Sequence, residues 1–95
     1  MALPSGDIRL VQVARMLGLG AHTVPEPVAR EAIAKRPADF AAALFAEAAA
    51  NDDVTSTKAA LDYLDGRLSY FRDLLTAPTE AAIRTAFAGR LAAWE

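Results

Sequence analysis

The chain has 95 residues, 54% of them hydrophobic and 23% charged, with a net charge of −2 and no cysteine. That balance is globular rather than disordered, fits one domain without disulfide staples, and excludes thiolate zinc sites and cysteine nucleophiles. No apolar run approaches the roughly 18 residues of a membrane span, and the opening MALPSGD lacks the basic and apolar parts of a signal peptide, so a cytoplasmic protein without membrane contact is expected.

Alanine supplies 23 residues, against five valines and three isoleucines. Alanine loses no side-chain entropy in a helix, whereas sheets favour β-branched residues. The composition therefore predicts an all-α fold, a single helical domain over residues 1–95 built as a bundle of about five helices.

Proline and glycine divide the chain. The first helix is expected from about Ile8 to Leu17, capped by Ser5 or Asp7 and stopped by Gly18. Its apolar face holds Leu10, Val13, Ala14 and Leu17. A loop follows over residues 19–27. The second helix spans about Pro27 to Arg36, with Thr23 and Glu26 at capping-box spacing and Pro27 suited to the first helical position. Pro37 opens the third, to about Ala50, with Phe40, Ala41, Leu44, Phe45 and Ala48 on one stripe and Ala42, Ala43, Ala46, Ala49 and Ala50 behind.

The segment from Thr57 to Thr76 reads as one helix about 30 Å long, the spine of the domain. Ala60, Leu61, Leu64, Leu68, Phe71 and Leu75 line one face, and Tyr63, Tyr70 and Leu74 widen it. Pro78 breaks the chain again, and Thr79 with Glu80 starts a last helix whose face carries Ile83, Phe87, Leu91 and Trp94. Glu80 and Arg84 have the orientation of a favourable i,i+4 pair. The short connection predicts that the last two helices form an antiparallel hairpin.

Charge is unevenly spread. Residues 1–36 hold five bases and three acids, whereas 37–56 hold Asp39, Glu47, Asp52 and Asp53 and no base. The run Leu10–Val24, with Ala14, Gly18 and Val24 at its key positions and Val13, Leu17 and Leu19 around them, resembles the helix-turn-helix signature of DNA-binding regulators. The resemblance implies a second helix that reads the major groove, with His22, Thr23, Arg30, Lys35 and Arg36 as nucleic-acid contacts. Pro25 and Pro27 fall inside that second helix, where a missing N–H and a ring clash oppose helical bonding. A small DNA-binding regulator using residues 10–36 is accordingly the second expectation.

The inventory for catalysis is thin. No GxSxG, Walker-type loop, dinucleotide fingerprint or paired-histidine helix occurs, and NDDVTST lacks the glycine and glutamate of a calcium loop. No enzyme activity, catalytic residue, cofactor or metal is expected. What stands out is apolar surface: Tyr63, Tyr70, Leu74 and Trp94 exceed what one partner helix covers, and Ala42, Ala46 and Ala49 form a smooth helical back. Aromatics with polar tips are enriched at interfaces. The first expectation is a non-enzymatic protein–protein interaction or assembly module, acting as a homo-oligomer or by docking on a partner protein through these seven residues.

Overall fold

The computed structural model describes residues 7–94, so Ser5 lies outside the described residues and Asp7 is the cap observed. Five α-helices follow: α1 (Ile8–Met16), α2 (Glu26–Lys35), α3 (Pro37–Ala49), α4 (Thr57–Tyr70) and α5 (Ala77–Leu91), with a 3₁₀ turn at Arg72–Leu74 and no strand among the described residues.

Each start has a local cause. The Asp7 carboxylate accepts from the Arg9 amide at 3.0 Å, Ser56 Oγ from the Ala59 amide at 3.1 Å, and Thr76 Oγ1 from the Thr79 amide at 3.4 Å. These oxygens satisfy amides that have no intrahelical partner. α1 ends at a glycine in the left-handed region, Gly18 with φ 62°, where the amides of Gly18 and Leu19 return to the carbonyls of Arg15 and Ala14. This is a Schellman closure, and a side chain at Gly18 would strain it.

Two helix starts differ from expectation. The Thr23–Glu26 capping box does not form: α2 begins at Glu26 behind Pro25, no side chain caps it, and Thr23 Oγ1 is buried without a hydrogen-bond partner. Pro25 itself, at φ −63° and extended ψ, sets the entry to the helix. α5 starts at Ala77 rather than beyond Pro78. Proline is tolerated in the first turn because its missing N–H would have had no helical acceptor.

The expected twenty-residue spine is a shorter helix. α4 stops at Tyr70 after 14 residues, about 21 Å at the standard rise. The chain then tightens through i→i+3 bonds from Leu74 to Phe71 and from Leu75 to Arg72, and turns extended at Leu75. The break sinks Phe71 and Leu74 into the core, where the Phe71 ring stands edge-on to Phe40 at 5.2 Å. The 3₁₀ turn packs on α2, a contact that a continuous helix would carry away from. Leu61, expected on the apolar stripe, is 41% exposed.

The central pair is instead α3 with α5, the most extensive helix–helix contact. Phe45 meets Phe87 at 6.1 Å and Trp94 at 5.6 Å, so the C-terminal ends of α3 and α5 lie together. Asp65 of α4 pairs with Arg84 of α5 at 2.9 Å, and Arg72 with Glu80 at 3.9 Å, consistent with an antiparallel α4–α5 hairpin. The expected Glu80–Arg84 pair forms at 3.2 Å. α1 is fastened at both ends: Arg9 donates to the Tyr70 carbonyl at 3.2 Å, and Arg36 to the Leu17 carbonyl at 2.7 Å.

One apolar core joins all five helices, from Leu10 and Val13 through Ile33, Phe40 and Leu44 to Leu64, Leu68, Ile83 and Phe87. Each such large side chain contributes about 1.5–3 kcal/mol by leaving water. No described helix is long and apolar enough to cross a membrane.

Candidate protein-interaction site

The residues expected to form one aromatic margin separate into two places and a core position. Leu74 is 2% exposed and belongs to the core, so it presents nothing to a partner. Tyr63 and Tyr70 lie on the α4 side of α3, around a polar cluster. Glu47 accepts from Arg67 Nε at 3.1 Å and from the Tyr63 hydroxyl at 3.4 Å, while the Arg67 guanidinium sits 4.9 Å from the Tyr70 ring centre and 5.2 Å from that of Phe71. The widened stripe is thus used internally: Tyr70 stacks on Arg67 by cation–π contact, while Glu47 of α3 pairs with that arginine and accepts from Tyr63. Tyr70 keeps 38% of its surface exposed.

Trp94 lies on the opposite flank. α5 ends at Leu91, and the Trp94 amide returns to the Leu91 carbonyl at 3.1 Å, which folds the indole over Phe45. Beside it opens a groove of about 460 Å³ lined by Phe45, Ala49, Arg90, Ala93 and Trp94. Ala42, Ala46 and Ala49, spaced i, i+4 and i+7, share the adjoining face of α3. Ala46 and Ala49 are exposed and Ala42 is half-buried. The tertiary structure therefore joins four of the seven expected residues, Ala42, Ala46, Ala49 and Trp94, and sets Tyr63 and Tyr70 apart from them.

Arg90 belongs to this site and escaped the sequence reading. Eight of the ten basic side chains make ion pairs; Arg15 and Arg90 are the two that have no ionic partner among the described residues. Asp52 and Asp53 are the two described carboxylates in the same condition. They sit in the turn that closes α3 just past Ala49, where Asn51 Oδ1 accepts from the Asp53 amide at 2.9 Å. A helical bundle with so many i,i+4 pairs gives no sequence sign of which charges remain unpaired, because pairing depends on which helices face each other.

The residues expected to contact nucleic acid are scattered and mostly engaged. Arg30 pairs with Glu26 at 2.8 Å, Lys35 with Glu31 at 3.1 Å, and Arg36 with Asp39 at 2.9 Å. His22 is exposed in the loop, and Thr23 is half-buried. The helix that should contain Val24 begins only at Glu26, leaving nine residues between α1 and α2 in place of a tight turn.

Comparison with known proteins gives no match: no protein-family model, no curated protein and no solved structure corresponds to this chain.

Proposed function

We propose that the chain is a non-enzymatic interaction module that self-associates through the outer face of α3 and the Trp94 groove, its partner being a second copy. The observation that carries this reading is the Trp94 groove with the unpaired Arg90 on its wall, beside a helix face of small side chains. Small residues let backbones approach closely, and aromatic and arginine side chains are the anchors of protein interfaces.

Charge argues for the second copy. In a two-fold association one patch meets itself, so contacts come in reciprocal pairs. Arg90 on one rim and the Asp52–Asp53 turn beyond Ala49 are complementary in that arrangement, and neither has an ionic partner among the described residues of its own chain. The DNA-binding alternative draws less support, because Arg30, Lys35 and Arg36 are already held by carboxylates.

Sedimentation over a wide concentration range tests the proposal. A reversible dimer is expected, weakened by Arg90→Glu and by Asp52→Lys with Asp53→Lys, and restored when the two sets of reversals are combined. A chain that stays monomeric at every concentration overturns it, as does a dimer indifferent to all three variants.

A further inference from the structure

A second groove, sharing no lining residue with the first, lies between α1 and the loop of residues 17–24. It measures about 380 Å³ and is lined by Val11, Ala14, Arg15, Gly18, Gly20, Ala21 and His22. Its size falls within the roughly 300–1,000 Å³ of small-ligand sites. No carboxylate lines it, although acids outnumber bases in the chain by twelve to ten.

Three observations converge on this groove. Arg15, in the last turn of α1, is one of the two described basic side chains without an ionic partner. His22 adds an imidazole from the facing loop. The backbone amides of residues 20–24, in the same loop, donate to no described group, in contrast to those of Gly18 and Leu19, which close α1. Gly18 and Gly20, both in the lining, have positive φ, 62° and 76°. Successive unpaired amides beside positive-φ residues form anion-binding concavities, and arginine adds a planar fork matched to two oxygens of one anion.

The geometry points to a phosphate-binding site in this groove, with Arg15, His22 and the amides of the 20–24 loop as ligands to the phosphate of a small monoester. A tetrahedral anion with several oxygens suits donors drawn from the Arg15 fork of α1, the His22 ring and the loop amides, whereas a carboxylate presents only two oxygens. The apolar wall of Val11, Ala14 and Ala21 is where the organic part of the monoester would lie. The inference is independent of self-association, since no residue of the Trp94 groove takes part.

Amide NMR of the full chain, titrated with inorganic phosphate and separately with glycerol 3-phosphate, tests it. Saturable shifts confined to the amides of residues 15–24 are expected from both, with sulfate competing and acetate inert. Arg15→Gln should weaken binding about tenfold or more, the loss of a charge-assisted pair, and His22→Gln more mildly, while Arg90→Gln leaves it unchanged. A thermal melt of each variant confirms that it is folded. Shifts that never saturate, that spread equally over other basic side chains, or that survive Arg15→Gln in a folded protein overturn the site. So does a loop that responds only to duplex DNA and not to phosphate, since that places its donors on a nucleic-acid backbone.

Discussion

The Trp94 indole stands edge-on to the Phe45 ring, with centroids 5.6 Å apart and planes at 63°. Trp94 lies three residues past the end of α5, so this contact holds the terminal turn against α3. Trp94→Ala removes the aromatic pair and exposes Phe45, which is only 8% accessible. The expected cost is about 1–3 kcal/mol, read as a lower urea midpoint with an unchanged slope. Trp94→Phe should recover most of it.

Deeper in the core the cost rises. Phe40 and Phe71 are both fully buried and meet at 5.2 Å. Either one changed to alanine should lose about 3–5 kcal/mol, a large part of the stability of so small a domain. Leu61→Ala serves as the contrast. Although it lies on the same apolar stripe as Phe71 in sequence, its 41% exposure predicts a change within about 0.5 kcal/mol. Chemical denaturation of the three variants decides whether burial or periodicity governs α4.

Asp7 links the start of α1 to pH. Its side-chain hydrogen bonds from Arg9, reinforced by the Arg9 amide and charge, hold the carboxyl below the usual carboxylate range despite partial burial. A carboxyl whose folded-state pKa is depressed stabilises the fold fully above its unfolded-state pKa and loses that contribution as pH falls through the folded-state value. Asp7→Ala should therefore cost about 1 kcal/mol at neutral pH, and the gap between variant and parent should close on acidification. Paired denaturation curves across the acid range check the sign. A gap that widens toward low pH contradicts the assignment.

Two glycines predict opposite outcomes for the same substitution. Gly18 sits at φ 62°, so Gly18→Ala forces a side chain into the left-handed region and should destabilise by about 1 kcal/mol even though the space around it is empty. Gly66 lies in the interior of α4 with nothing within 4 Å of an added Cβ. Gly66→Ala should stabilise by about 0.5–1 kcal/mol through helix propensity and a less disordered unfolded chain. Melting temperatures of the two variants should move apart.

Much of the architecture is legible in the residues themselves because its causes are local. The alanine content, the cap at Asp7, the stop at Gly18 and the start at Pro37 act within a few residues, so five helices follow from the chain read in order. α3 in particular buries the very stripe its spacing predicts: Phe40, Ala41, Leu44, Phe45 and Ala48.

What the tertiary structure decided is where those helices stop cooperating and what each surface faces. No local signal marks the break after Tyr70; it arises because Phe71 and Leu74 gain more by packing against Phe40 and α2 than a straight helix would retain. The split of the aromatic margin has the same origin. Tyr63 reaches Glu47 of α3 and Tyr70 stacks on Arg67, whereas Trp94 closes on Phe45, and helical periodicity relates only residues of one helix. The two unpaired arginines emerge in the same way, since a salt bridge between helices depends on distances in space that sequence spacing does not encode.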